Sequence, residues 1–441
     1  WAFCLPLFGS IIFQQLYNIA DSLVAGKFIG ENALAAVGNS YEITLIFIAF
    51  AFGCNIGCSV VVSRYFGAKL YADMKTAVHT TLIFSGAVCA VLMALGLIFQ
   101  QPLLQLIKTP EDVLADSSLY LDIYIWGLPF VFFYNISEGI FSAMGDSKTP
   151  FIFLACSSLS NIAMDILFVT AFKMGVAGVA LATVIGQLLS AAMVLFVLFR
   201  TTSCVKLELS ALRFDAQMLK EIIRIGIPSA LQMALTALSN VFVQSYIGGA
   251  NGAQEICLGA WTSYTKIDQF IFLPVQSLAL SVSTFVGQNL GSGNIDRAKR
   301  GIRTAFFMSL LCTALIILPV MLFAPFWASV FNRDAAVVAQ ATRLLRGITP
   351  FYLCCSVNQI FAASLRGAGN SRAPMIIMLT CFIGIRQIYL FTMSHYISNE
   401  LLHIGLGYPL GWFCCAVTML LYYLHFDFSK VVVVKKAQAG A

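Results

Sequence analysis

Polar groups able to do chemistry stand inside the apolar stretches of this chain. Gln14, Asn18 and Asp21 are spaced by four and then three residues, which puts them on one helical face with Tyr17 alongside. Ser158, Asn161 and Asp165, spaced by three and four, repeat the pattern. Asn135 with Glu138, and Thr183 with Gln187, lie in two further apolar stretches. A charge in hydrocarbon costs about 3 kcal/mol on insertion scales, so Asp21 and Asp165 need each other, a bound cation or a proton. The bland alternative is a helix-end carboxylate that reaches water. For Glu138, about one and a half turns before a connection, the two readings weigh the same. Asn161 and Thr183 alone read as helix-packing groups.

The second half answers with Gln232, Thr236, Asn240 and Gln244, a neutral ladder at every fourth residue. Gln14, Tyr17, Asn18, Asn135, Glu138, Gln187, Gln232, Thr236 and Asn240 are the candidates to line a substrate cleft. Asp268 and Lys266 are two apart and share no helix face, so Asp268 is expected to pair elsewhere, with Arg386 as the candidate in a structural salt bridge. His79, His395, His403 and His425 are dispersed and show no metal spacing. The 13 cysteines lie mostly in apolar runs as small hydrophobes, so neither a disulfide framework nor a zinc site is expected.

Composition dictates the elements that must position these groups. Of 441 residues 10% are charged, against about 25% in a soluble domain, while 59% are hydrophobic and the mean hydropathy is +0.87. A soluble enzyme, a disordered chain and a fibrous protein are excluded. Apolar runs of about 20 residues predict an all-α polytopic membrane protein with helices near 1–25, 41–64, 77–100, 118–144, 150–172 and 177–199. Six more fall near 221–247, 262–287, 303–326, 342–365, 373–395 and 403–426. The chain begins at Trp1 with no initiator Met, basic leader or cleavage site, and is expected to start inside its first span with a short native N-terminus missing.

The net charge of +6 does not point to nucleic acid, because no Lys/Arg-dense block is interleaved with aromatics. The cations sit in connections, 18 on one side against six on the other, with Lys266 and Arg386 left within spans. The richer side is therefore cytoplasmic and both termini lie inside. The longest inner connection, Arg200 to Arg224, carries five cations and an amphipathic stretch from Leu212 to Ile223. It divides the chain into an N-terminal six-helix lobe (1–200), an interlobe linker (201–220), a C-terminal six-helix lobe (221–427) and a basic cytoplasmic tail (428–441).

Self-comparison adds an internal repeat. Leu5-Pro6 matches Ile227-Pro228, which places Asn18 on Asn240. Ser63–Gly67 matches Gly287–Gly291, Leu128-Pro129-Phe130 matches Thr349-Pro350-Phe351, and the turn Gly145–Pro150 matches Gly369–Pro374, all at offsets of 221 to 224. An even number of spans separates equivalent points, so the halves are parallel repeats about an axis along the membrane normal. That is a transporter plan, with a central cleft and alternating access by rocking. A channel would carry a repeated filter segment, and none is visible. The repeat mate of Asp21 is Val243, so ion handling is expected in the first half.

No G-x-x-x-x-G-K-[ST] occurs, and Gly291-Ser292-Gly293 follows a membrane helix rather than a strand, so nucleotide phosphates have no cradle. No cofactor is expected, and an ion gradient remains as the energy source. A carboxylic acid taken out of water can hold a proton near neutral pH, and the same pair of acids could hold Na⁺ with amide and hydroxyl oxygens. One charge falling through about 100 mV releases roughly 2.3 kcal/mol, enough for about a 50-fold gradient of a neutral substrate.

The two six-helix halves, the cationic connection and the Pro6…Asp21 and Asn161…Asp165…Thr183 pattern resemble multidrug and toxic compound extrusion (MATE) transporters, specifically their DinF-like bacterial branch. The resemblance covers essentially the whole chain. It implies the MOP-type fold and a first-lobe cation site at Asp21, Asn161, Asp165 and Thr183, open to H⁺ or to Na⁺. It also implies a helix bend at Pro6 coupled to protonation of Asp21. The other bacterial branch uses second-lobe acids, and Val243 and Gln359 stand where repeat symmetry would supply them, with Asp268 keeping a second-lobe contribution open. The implied activity is export of amphipathic, often cationic compounds by a monomer in a bacterial inner membrane. A lipid-linked oligosaccharide flippase of the same superfamily is one alternative, disfavoured because only Lys266 and Arg386 are available for a pyrophosphate. A membrane-embedded enzyme is another, disfavoured by the scattered histidines.

Overall fold

The computed structural model of the chain describes residues 2–106, 109–200 and 213–431, and these are helices joined by short connections with no strand among them. The first half runs Cys4–Val24 with a π turn Ala25–Ile29, then Glu31–Gly67, Tyr71–Leu106, Glu111–Ala143, Lys148–Ala171 and Val176–Arg200. The second runs Ala216–Gly248, Gln254–Gly291, Ile295–Leu322, Ala335–Gly367, Arg372–Ile397 and Leu401–His425. Among the described residues, eleven of these are long and apolar enough to cross a bilayer. The first span, diluted by Gln14, Gln15, Asn18 and Asp21, completes the six-plus-six pattern.

Several helices overshoot the apolar runs that predict them. The second begins at Glu31 and the eighth at Gln254, with Glu31 and Glu255 in their first turns. Carboxylates there complement the exposed N–H groups and the helix dipole, so the helix persists beyond the apolar stretch. Pro350 falls in a 3-10 turn, Thr349–Phe351, that interrupts the tenth span, whereas its repeat mate Pro129 stays inside the α-helix of the fourth.

The chain forms two compact units, Trp1–Ala230 and Leu231–Ala441. In the first, the second span packs along the fourth, the fourth along the sixth, and the first and sixth against the fifth. In the second, the eighth packs on the ninth and tenth, and the tenth on the twelfth. The division falls inside the seventh span, whose opening turns belong to the first unit. There Gly53 and Gly57 let the backbones touch: a Cβ on either would lie 2.8 Å from the carbonyl oxygen of Gly226 or Ile222 respectively. Small residues four apart allow that approach.

Residues 201–212, which carry Lys206, and residues 432–441, which carry Lys435 and Lys436, lie outside the described residues, as does Lys108. The rest of the expected interfacial stretch is not a separate element. Ala216 to Ile223 are the opening turns of the seventh span itself, started by Asp215, whose carboxylate accepts from the Met218 N–H at 2.7 Å in the manner of an N-cap.

The repeat reaches the hydrogen bonds of individual turns. After the fourth span the Asp146 N–H donates to Phe141 O (3.0 Å), and after the tenth Asn370 N–H donates to Leu365 O (2.9 Å). Gly145 and Gly369 adopt φ of 89° and 81° in these turns, a region glycine enters without penalty. Leu70 N–H to Tyr65 O (3.0 Å) and Asn294 N–H to Asn289 O (2.8 Å) are a second matched pair.

Candidate functional site

Spans one, five and six of the first unit meet around Asp21. Its carboxylate is 4% exposed and accepts from Thr183 Oγ1 at 3.0 Å on one oxygen. On the other it accepts from the Asn161 amide at 3.1 Å, with the Asn161 carbonyl turned to the Thr183 N–H at 3.2 Å. Asp165, fully buried one turn below Asn161, lies within reach of the Asp21 carboxyl. Neither of its oxygens receives a hydrogen bond. Gly186 permits this closure, because a Cβ there would stand 3.1 Å from that of Asn161.

Two carboxyl groups in contact, one wholly without donors, are an arrangement able to hold a single shared positive charge. Both anions cannot persist side by side away from water unless a proton or a cation lies between them. Four of the residues named from the sequence, Asp21, Asn161, Asp165 and Thr183, thus come together. The oxygens of Asp21, Asp165, Asn161 and Thr183 are hard ligands of the kind Na⁺ takes, and the same pair of acids can carry a proton instead. Beside them Tyr17, Ser157, Ser158 and Gln187 line a small cavity with Asn161 and Thr183. The Ser158 hydroxyl is buried without a partner, and Gln187 reaches Tyr17 OH at 3.5 Å.

The other candidates separate. Gln14 lies near Tyr17, and Asn18, one turn on, is half-buried. Pro6 sits in the first described turn of its helix, where its carbonyl accepts from Ser10 Oγ. Asn135 donates to Val131 O in its own helix at 2.8 Å, and Glu138 accepts from Asn55 at 3.1 Å, tying the fourth span to the second. In the second unit Gln232 meets Met378 Sδ, Thr236 bonds back to Gln232 O, and Asn240 accepts from Arg386.

The expected Asp268–Arg386 salt bridge does not form. Arg386, 2% exposed, donates through Nη2 to Ser239 Oγ at 2.7 Å and to Asn240 Oδ1 at 3.1 Å. Its guanidinium lies 4.5 Å from the Tyr408 ring centroid. Asp268 lies instead near Tyr264, one turn back on its own helix, and Tyr408, while the Arg386 donors are taken by Ser239 and Asn240 of the seventh span. Lys266 is exposed.

Sequence reasoning missed Tyr120 and Tyr124, stacked at 6.4 Å and buried near Asp21 and Tyr17. An i, i+4 aromatic pair in an apolar span carries no signal beyond ordinary core. It also missed Ser239, Gln387 and Tyr408, single polar residues in three different spans that only packing unites.

A duplicated helical bundle with a buried two-acid site in one lobe defines the class, a polytopic membrane protein of transporter architecture. The chain belongs to the MatE family, whose pattern matches residues 6–167 and again 228–392, one match for each half of the duplication. It is similar to a probable multidrug resistance protein, YoeA, of Bacillus subtilis, at 29% identity over 97% of this chain and 92% of the relative. A FAD transporter of Shewanella oneidensis is 24% identical over 87% of this chain and 84% of its own length. A solved structure described as the outward-facing conformation of a multidrug resistance MATE family transporter superposes with a TM-score of 0.91 at 22% identity, covering 96% of this chain and 93% of that one. The MATE/MOP fold expected from the sequence is the fold of the molecule.

Proposed function

We propose that this protein is a secondary active efflux transporter rather than an enzyme. It exports amphipathic, often cationic organic compounds in exchange for H⁺ or Na⁺, with one lobe moving against the other in alternating access. It works as a monomer in the bacterial inner membrane with both termini in the cytoplasm, the side favoured by the cation count of its connections. The observation that carries the reading is the donor-free Asp165 carboxyl against Asp21, an arrangement that exchanges one positive charge and does little else. Loading that charge relieves the repulsion between the acids, and unloading it restores a state that the lobe must accommodate by repacking. Relatives named as multidrug resistance proteins support small organic cargo over a lipid-linked oligosaccharide.

The test is ethidium accumulation in everted vesicles energised separately by H⁺ and by Na⁺ gradients. Asp21→Asn and Asp165→Asn are expected to lose gradient-driven transport under whichever ion serves, by tenfold or more. Undiminished accumulation in both variants would reject the assignment.

A further inference from the structure

The second lobe holds a site built on the same plan as the acidic one and opposite in charge. In the first lobe, spans one, five and six bring Asp21, Asn161, Asp165 and Thr183 together; their repeat mates, spans seven, eleven and twelve, bring together Ser239, Asn240, Arg386 and Tyr408. By the offset of 224 that aligns the turns before spans five and eleven, Arg386 falls at Ile162. The π turn Thr380–Ile385 immediately before it bonds i to i+5 and so takes up about one extra residue. That brings Arg386 to the level of Asn161. Where one lobe keeps acids, the other keeps a guanidinium.

The cluster fixes the orientation of that guanidinium. Ser239 Oγ donates to Phe382 O inside the π turn at 3.1 Å. Its remaining lone pairs then accept from Arg386 Nη2 and from Gln387 Nε2, the latter at 3.1 Å. Asn240, exposed on the surface of the seventh span, accepts from both Arg386 and Tyr408 OH at 3.1 Å. Behind Tyr408 stand Trp261 and Trp412, with ring centroids 5.4 and 5.8 Å away. Arg386 Nε is buried and without a partner, and no ion pair joins Arg386 to a carboxylate among the described residues. Neutral oxygens and one aromatic face orient the buried cation, and Asp268, near the same Tyr408, makes no ion pair with it. A planar fork with an N–H left unpaired is the donor set that a carboxylate or a phosphate completes.

We propose that Arg386, held by Ser239 and Asn240 against Tyr408, forms an anion-binding subsite that takes the carboxylate or phosphate of an aromatic substrate, giving this transporter cargo of negative charge. The inference rests on the transporter reading for its biological meaning, but its test is equilibrium binding without any gradient, so the two can fail separately.

The probes are riboflavin and riboflavin 5′-phosphate, which share a ring and differ in the phosphate. Binding is measured by calorimetry on the full chain in phosphatidylcholine nanodiscs. The wild-type protein is expected to prefer the phosphate by about tenfold or more, the scale of one charge-assisted hydrogen bond. Arg386→Gln is expected to erase the preference while leaving riboflavin binding in place. Asn240→Asp, at an exposed position, guards against a folding defect: it supplies the missing counter-charge to the guanidinium and is expected to erase the preference in a protein that melts no lower than wild type. Equal binding of the two probes by the wild type, or a preference that survives both substitutions, would overturn the proposal. So would complete displacement of the phosphate probe when phosphatidylglycerol is added to the nanodiscs, which would assign the subsite to a lipid headgroup.

Discussion

Thr183 Oγ1 carries one hydrogen and faces two acceptors at 3.0 Å, the Asp21 carboxylate and its own helix at Val179 O. With the hydrogen on Val179 O the hydroxyl offers its lone pairs to a cation, and with it on Asp21 it steadies the carboxylate. Thr183→Val keeps the shape and removes both options; it should cut ion-driven ethidium accumulation severalfold, and Thr183→Ser should restore it. Equal activity in Val and Ser variants would remove Thr183 from the site. A different acid governs a different property. Asp427, exposed beyond the twelfth span, accepts from the Ser429 hydroxyl at 2.6 Å and from its N–H at 3.0 Å. These bonds, with Lys430 nearby, hold its carboxyl below the usual carboxylate range. Its contribution to local order is therefore present above the ordinary Asp pKa and is lost only as pH falls through the lower folded value. Amide exchange of Phe428–Val431, corrected for intrinsic rates, is expected to stay constant from pH 8 to 5, so a pH dependence of transport in that window must arise elsewhere. The acidic site was legible in the sequence because an Asp among apolar residues is costly and helical spacing puts its companions on one face. The partners of Arg386 were not, because Ser239, Gln387 and Tyr408 are ordinary residues until three spans pack.

Spans are positioned by small residues as much as by large ones. Gly53 and Gly57 bring the second span onto the opening turns of the seventh, with Gly226 and Ile222 facing them. Any side chain there overpacks a backbone contact, which costs about 1–3 kcal/mol in a close-packed core. Gly57→Val should lower the melting temperature of the detergent-purified protein and reduce transport, whereas Gly38→Ala, at a position with open space around it, should change neither. Gly186→Val should act more locally, prising the sixth span from Asn161 and lowering transport with a smaller loss of stability. Helix number and centres could be read from apolar runs, because hydrocarbon thickness sets their length. Helix ends could not, because Glu31 and Glu255 favour helix starts beyond the apolar region through the helix dipole rather than hydropathy. The π turn before Arg386 leaves no mark in composition, and it shifts the register of that residue by about one position.

At the scale of the molecule, a duplication has been kept in its turns and broken in its charges. Gly145 and Gly369 make equivalent turns, while in the repeat alignment Asp21 corresponds to Val243 and Asn161 to the level of Arg386. The parallel repeat requires both turns on one side of the membrane, which in the proposed orientation is the cytoplasm. On a background with the native cysteines replaced, Lys148→Cys and Arg372→Cys should react with an impermeant maleimide only from the cytoplasmic face, and Lys173→Cys only from the other. Labelling of Lys148→Cys and Arg372→Cys from opposite faces would break the repeat. The central claim is that the Asp21–Asp165 pair couples ion movement to drug movement, and coupling runs in both directions. The most direct measurement is therefore the reverse one. In proteoliposomes of the purified chain with no ion gradient, an imposed ethidium gradient is recorded together with internal pH and internal Na⁺. An outward ethidium gradient should drive H⁺ or Na⁺ inward in the wild type and in neither Asp21→Asn nor Asp165→Asn, whereas ethidium movement with no accompanying ion flux in the wild type would contradict the account.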